Sequence, residues 1–293
     1  VETTTTKDNC SLEKLEQIQD MCKDIGVETE PKCVHGVWIV PLLSWYDLSL
    51  TLDPSSAGET TLSPELELEP EGEYNHPGNL TYWPWTDFLR CKWPCELEMS
   101  YPTRSGKFPV LVADLMLERN THTVQKVAHE VLNGNGHAVV SVSHFLPRRE
   151  VLPDWIEPKN RRFNPLWVGK PWEKSAYRFS KVAGSDGIDK QIRALSEAIR
   201  TNDDIRHIHV FGHSHRPKDL VVDGIRYVHH PLAKPIERER GMVPMSPVPK
   251  ELWRIDSETR SGTHHVPAER DIVRYWEENF ANMEIFPEFD RRF

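Results

Sequence analysis

The chain reads as an α/β fold, and three observations predict it. Apolar, β-branched runs of strand length recur at residues 34–43, 137–144 and 208–211. Stretches with helical periodicity lie between and around them, at 11–26, 121–132 and 186–200. Two of the strand runs lead directly into histidines, His144 after one and His213 with His215 after the other. Strands alternating with helical patterns argue a sheet flanked by helices.

Each element follows from its residues. Ser11 is a plausible N-cap for the first helix, with Glu13 and Lys14 in its first turn. Leu12, Leu15, Ile18 and Met21 fall near helical spacing, and Gly26 ends the run. Residues 34–43 read as a buried strand pair or as one bent strand. Residues 53–78 are rich in Pro, Glu, Ser and Gly, with Glu65-Leu66-Glu67-Leu68-Glu69-Pro70-Glu71 at the centre, and predict a solvated insertion without a core of its own. Trp83, Trp85, Trp93 and Phe88 then cluster, as a substrate lid or as an apolar plug against the sheet.

Residues 109–116 read as the next strand and 121–132 as the next helix. Asn133-Gly134-Asn135-Gly136 signals a turn into the first histidine strand, and Pro147 stops regular structure after it. Residues 154–179 are irregular and aromatic and are expected to cover the strand ends. Ile188, Ile192, Leu195 and Ile199 share one face of the helix at 186–200. After the strand at 208–211, residues 220–228 form a hairpin around an Asp223-Gly224 turn. Beyond Trp253 the chain is polar, with a short helical pattern at 272–280.

The most informative stretch is His207-Ile208-His209-Val210-Phe211-Gly212-His213-Ser214-His215. Side chains two apart in an extended segment point to the same side. Gly212 is expected to let the backbone leave the strand in a conformation closed to other residues. His213 and His215 are then presented together from a short loop, and neutral imidazoles are the commonest protein ligands for Zn, Mn or Fe. His144 ends the other histidine strand, which delivers a side chain to the edge of an α/β sheet. Two surface histidines in a turn and one loop histidine are the bland alternative.

These motifs in this order resemble the calcineurin-like metallophosphoesterases, over roughly residues 11–255. The resemblance rests on Val37-Trp38-Ile39-Val40-Pro41-Leu42-Leu43-Ser44-Trp45-Tyr46, on Ser143-His144-Phe145-Leu146-Pro147-Arg148, on Val182-Ala183-Gly184-Ser185, on Val210-Phe211-Gly212-His213-Ser214-His215 and on Asp223-Gly224-Ile225-Arg226-Tyr227-Val228. It implies a two-sheet β sandwich flanked by helices, spanning 1–255 with the insertion at 53–78, followed by a peripheral tail at 256–293. It implies a phosphate-ester substrate and two divalent cations (Mn, Fe or Zn) that polarise the phosphoryl oxygens and acidify a bridging water. His144 and His213 would belong to one cation and His215 to its neighbour. Arg148 is a candidate phosphate clamp, because guanidinium matches a phosphate edge, or else an ordinary surface arginine. His229 and His230 end a hairpin strand, where His230 is a candidate substrate contact; the alternative is a structural role before Pro231.

The departures from the family matter equally. Asp-x-His, Gly-Asp and Gly-Asn-His-Asp/Glu do not precede His144. Asn135-Gly136-His137 sits in the helix-to-strand turn and reads as a connection. The expectation is therefore the C-terminal part of a longer protein, inactive alone. Two cations ~3.5–4 Å apart repel and need anionic ligands, which three neutral histidines do not supply. A degenerate phosphoesterase-fold scaffold is the alternative function. A mononuclear zinc site on His144, His213 and His215 is a third reading.

Composition sets the outer bounds. The 293 residues suffice for one large α/β domain or two small ones. A net charge of −9 gives no overall nucleic-acid footprint. Arg148, Arg149, Lys159, Arg161 and Arg162 form a local basic patch or simply solvated charges. Cys10, Cys22, Cys33, Cys91 and Cys95 are odd in number and irregular in spacing, which predicts free thiols in a reducing intracellular compartment. Asn9-Cys10-Ser11 and Asn79-Leu80-Thr81 fit the glycosylation triplet, a common chance match. No apolar run reaches the ~18 residues a transmembrane helix needs.

Overall fold

A two-residue turn at His35 and Gly36 makes the first edge of the sheet. Both residues have positive φ, 51° and 81°, as the two central residues of a type I′ hairpin require. The turn joins β1 (Lys32–Val34) to β2 (Val37–Pro41), with Val34 opposite Val37. Of the two readings of 34–43, the chain adopts the strand pair. This computed structural model describes residues 10–51, 87, 90–94, 97, 110–152, 179–199, 207–215, 218–235, 238, 249–255 and 262–263. The insertion at 53–78, Trp83, Trp85, Phe88, Cys95, all of 154–179 but Phe179, the basic residues at 159–162 and the helical pattern at 272–280 lie outside them.

The sheet grows inward from that hairpin. Strands β2, β3 (Ala138–Val142), β4 (His207–Val210) and a later strand at Ile225–His229 run parallel. β5 (Lys218–Val222) pairs antiparallel with that strand, β6, through a turn at Asp223 and Gly224 with φ of 53° and 78°. The order is β1-β2-β3-β4-β6-β5, so antiparallel strands close both edges of a parallel centre. Among the described residues the other sheet is a two-stranded ladder, β7 (Arg254–Ile255) with β8 (Gly262–Thr263). The chain is thus mixed α/β around one six-stranded sheet.

Two helices cover one face of this sheet. α1 (Ser11–Asp24) stands apart, while α2 (Val110–Leu132) and α3 (Asp186–Ile199) pack on each other and on the strands. Trp38, Val40, Val139, Ile225 and Tyr227 from the sheet meet Val124, Val127, Val131, Ile188, Ile192 and Leu195 from the helices. Each such side chain contributes about 1.5–3 kcal/mol by leaving water. The opposite face carries Val37, Ala138, Val140, Ile208 and Val228, with Leu252 and Trp253 against it.

α2 corrects one expectation. Residues 110–116 are helical where the sequence predicts a strand; Val110 to Leu132 is one helix of 23 residues. Val112, Met116, Asn120, Val124, Val127 and Val131 are buried at helical spacing along its length. Asn120 is the polar member of that stripe. Its Oδ1 accepts the Leu43 N–H (2.9 Å), and its Nδ2 donates to the Leu43 carbonyl (2.7 Å) and to Gln191 Oε1 (2.9 Å). The helix therefore continues through a residue that pins the chain leaving β2.

α1 corrects a smaller one. Its N-cap residue is Cys10, with no side-chain capping bond. Ser11 instead exchanges two hydrogen bonds with Lys92: its Oγ accepts the Lys92 N–H (2.9 Å) and its own N–H donates to the Lys92 carbonyl (2.7 Å). α1 buries no residue and is tied to α2 by Arg119 and Glu16 (3.3 Å). Trp93, from the same stretch as Lys92, packs edge-on against Trp45 at 4.9 Å. Cys10, Cys22, Cys33 and Cys91 are free thiols. Among the described residues no helix is long and apolar enough to cross a membrane.

Candidate histidine site

The C-terminal ends of parallel strands are where open α/β sheets gather ligands, and the histidines lie there. β2 leads to Ser44, β3 to Ser143 and His144, β4 to the loop 211–215, and β6 ends on His229. The loops hold each other through the backbone. Ser143 N–H donates to the Val210 carbonyl and Gly212 N–H to the His144 carbonyl, both at 3.0 Å. Ser44 Oγ accepts the N–H groups of both His144 and Phe145 at 3.2 Å. His144 is thus fixed at its amide, its carbonyl and its neighbour.

Gly212 serves the site differently from the sequence expectation. Positive φ falls on His213 (69°) and His215 (54°), not on Gly212. Left-handed backbone costs a non-glycine residue about 1–2 kcal/mol, which surrounding structure must offset. Gly212 is favoured by proximity. A Cβ there would lie 3.2 Å from His144 Nδ1 and 3.3 Å from its carbonyl oxygen.

His144 and His213 stand side by side, with ring centroids 5.2 Å apart and planes at 70°. Phe145 lies 4.6 Å from the His213 ring, and Phe179 stacks on it at 5.3 Å. His213 Nε2 is 3.0 Å from the Val182 carbonyl, which can only accept. Nε2 therefore carries the hydrogen and Nδ1 the lone pair. Burial, reinforced by His144, pushes the His213 pKa down to about 3, against the opposing bond to Val182. Partial burial also holds His144 below the ordinary imidazole range, with Asp87 opposing and His215 adding to the shift. Both rings are neutral at physiological pH. His215 is half-buried and acts electrostatically on both.

The structure thus sets His144 against His213, with His215 within electrostatic reach of both. Among the described residues no group of three or more His, Cys, Asp or Glu is arranged to hold a metal ion. His230 is exposed just past the end of β6, whereas His229 is buried with Nδ1 2.9 Å from Ser214 Oγ, in the loop that carries His213 and His215.

Arg148 is not an ordinary surface arginine but is mostly buried among carboxylates. Its side chain is 10% exposed, and its guanidinium bonds both oxygens of Glu150 (2.9 and 2.8 Å) and Asp223 Oδ2 (3.2 Å). Asp189 Oδ1 lies 3.8 Å away, and the Tyr227 ring sits 5.5 Å below. Asp189 in turn accepts the Tyr227 hydroxyl (2.6 Å) and Arg193 Nε (2.6 Å). Burial would lower the Arg148 pKa, but bonds to Glu150 and Tyr227 and the Asp189 and Glu150 charges raise it. Through these contacts Arg148 ties the hairpin turn to α3, with three of its N–H groups bonded to carboxylates.

Sequence reading missed several contributors. Asp87 acts on His144 from the stretch read only as a tryptophan cluster. The Val182 carbonyl carries no side-chain signal at all. His207 and His209, two apart on β4, had the period-2 signal but were read only as strand.

No family model matches this chain, and no curated protein matches it. A structural match is the phosphopantetheinyl hydrolase (PptH) from Mycobacterium tuberculosis, at 17% identity and a TM-score of 0.45, covering 82% of this chain and 67% of that one.

Proposed function

We propose that this chain carries the histidine side of a metal-dependent phosphoric ester hydrolase with the two-sheet fold of the calcineurin-like metallophosphoesterases. One observation carries the reading: His213 donates Nε2–H to a backbone carbonyl and keeps Nδ1 as a lone pair. A metal-ligating histidine characteristically donates its other ring N–H in this way, which fixes tautomer and orientation.

The donor type suits divalent cations, although the described residues supply only part of a ligand set. His144 and His213 are held neutral, so no proton competes for their lone pairs near pH 7. His144 and His213 would hold one cation and His215 the second. Bound cations supply Lewis acidity toward the phosphoryl oxygens and an acidified water as nucleophile. The chain's own residues orient and exclude. Val182 sets the His213 tautomer, Ser44 holds the His144 backbone, and Phe145 and Phe179 keep water from the His213 ring. Three neutral imidazoles leave a cation pair without the anionic ligands it needs, so this chain alone is expected to bind metal weakly.

The test compares this chain with any longer form of the protein that contains it. Metal content is measured in both, together with Mn²⁺-dependent hydrolysis of an aryl phosphate monoester and diester. Two metals with activity in the long form, both lost in His213→Ala, are the expected result. Neither metal nor activity in either form would leave a binding scaffold as the reading.

A further inference from the structure

Beneath the histidine site runs a second histidine system, on the helix-covered face of the sheet. His207 and His209 on β4 are buried, at 1% and 0% exposure, beside Ser141 and Ser143. Ser141 Oγ lies 2.8 Å from both His207 Nε2 and His209 Nδ1. Ser143 Oγ lies 3.1 Å from His209 Nε2 and donates to the Phe145 carbonyl at 2.8 Å.

Counting protons assigns every bond. Ser143 has one hydrogen, spent on the Phe145 carbonyl, so it must accept from His209 Nε2–H. A neutral His209 then presents a lone pair at Nδ1, which only the Ser141 hydroxyl can fill. Ser141 has then spent its hydrogen, so it accepts from His207 Nε2–H. A doubly protonated His209 is excluded by its burial, with His207 alongside. The chain of bonds therefore has one direction, from His207 to the Phe145 carbonyl. It ends on an oxygen that cannot pass a proton on, so it fixes geometry and does not conduct.

What it fixes is the turn around His144. Ser143 and Phe145 are the neighbours of His144, and the bond between them closes the backbone over it. We propose that His209 is a positioning residue for the histidine site: its Nε2–H locks Ser143 into the turn that presents His144 beside His213. The network is unsatisfied at its far end, where the buried His207 Nδ1 has no partner among the described residues. Each bond from His207 Nε2 to the Phe145 carbonyl is nevertheless made, and satisfied buried bonds specify one arrangement. As a statement about metal binding, the proposal rests on the function proposed above; as a statement about the turn, it does not.

The test uses the full-length gene product with two variants. His209→Phe keeps a ring and removes both nitrogens; His209→Gln keeps a donor near the Nε2 position. Hydrogen exchange is followed in a peptide spanning residues 142–147, and Mn²⁺ affinity by calorimetry. In His209→Phe, exchange in that peptide should rise and Mn²⁺ affinity fall about 10–100-fold, the size of effect outer-shell partners have. His209→Gln should recover most of both, whatever its melting temperature. Unchanged exchange in a folded His209→Phe overturns the proposal, as does equal loosening in His209→Gln. Loosened exchange in His209→Phe, restored in His209→Gln, with no Mn²⁺ bound even by wild type would uphold the positioning role and remove the metal reading. If His209→Phe does not fold, Ser143→Ala breaks the same bond from the other side and must loosen the same peptide.

Discussion

His213 reaches back to the carbonyl of Val182, 3.0 Å away, and its ligand geometry therefore depends on a loop 31 residues earlier. That loop is seated by Leu146. Its N–H donates to Ala183 O (2.9 Å), and its carbonyl accepts Ser185 N–H (3.1 Å). A Cβ on Gly184 would lie 1.8 Å from Leu146 O. The backbone at Gly184 is not left-handed, so the requirement is close approach alone. Gly184→Ala is expected to cost about 3 kcal/mol or more, because the obstacle is backbone and not a flexible side chain. Urea denaturation measures it; a cost below about 1 kcal/mol would show that the loop can withdraw.

Arg148 offers a contrast between structural and substrate roles. Removing it takes one cation from beside Asp189, a buried carboxylate that keeps its bonds from Tyr227 and Arg193. Arg148→Met should destabilise by about 1–3 kcal/mol, the cost of losing charged hydrogen bonds whose acceptors keep other partners or reach solvent. Arg148→Lys should recover little, since an ammonium cannot reproduce the two-pronged contact with Glu150. Phosphate affinity per folded molecule should stay unchanged in Arg148→Lys. A selective loss of phosphate affinity without loss of stability would restore the clamp.

Acid should unfold this protein earlier than its carboxylates require. Burial lowers the His207 pKa to about 3 and the His209 pKa well below its ordinary value. Above the unfolded value of about 6.5 both states are neutral and no penalty exists. As pH falls below that value the unfolded chain takes up protons that the folded chain refuses. Stability is therefore lost from about pH 6.5 downward, by about 2 kcal/mol at pH 5 for His207 alone. Chemical denaturation at several pH values reads the slope. His207→Phe should flatten it, and an unchanged slope would show that His207 is not the proton acceptor.

How much of this was legible depended on where the information sits. The two type I′ turns were visible, or nearly so: Asp223-Gly224 was read directly, and His35-Gly36 settles an ambiguity about residues 34–43. α2 was misread because Val110, Val112 and their neighbours form a short apolar run that periodicity cannot distinguish from a strand. Asn120 is polar on the buried face of that helix, and its bonds to Leu43 and Gln191 show how the position is satisfied. The placement of His144 against His213, with His215 within electrostatic reach, was legible from strand-end position. Its support was not, because the Val182 carbonyl and the Asp87 charge arrive through tertiary structure. Arg148 looked available in sequence only because its carboxylate partners lie up to 75 residues away.

Gly212 provides the sharpest separation of site geometry from stability. Its missing side chain leaves room for His144, whose Nδ1 would be 3.2 Å from an added Cβ and whose carbonyl would be 3.3 Å away. That carbonyl is bonded to Gly212 N–H at 3.0 Å and resists withdrawal. The imidazole is the softer neighbour, since His144 is exposed and its ring can swing outward. Gly212→Ala should therefore spare the fold, at a cost of about 1 kcal/mol, because the displacement required is a few tenths of an ångström. It should widen the 5.2 Å separation of the His144 and His213 rings and weaken metal binding about tenfold or more. Calorimetric Mn²⁺ titration beside thermal melting reads the two effects separately. Equal affinity with a lowered melting temperature would mean that the close approach at Gly212 serves packing and not the site.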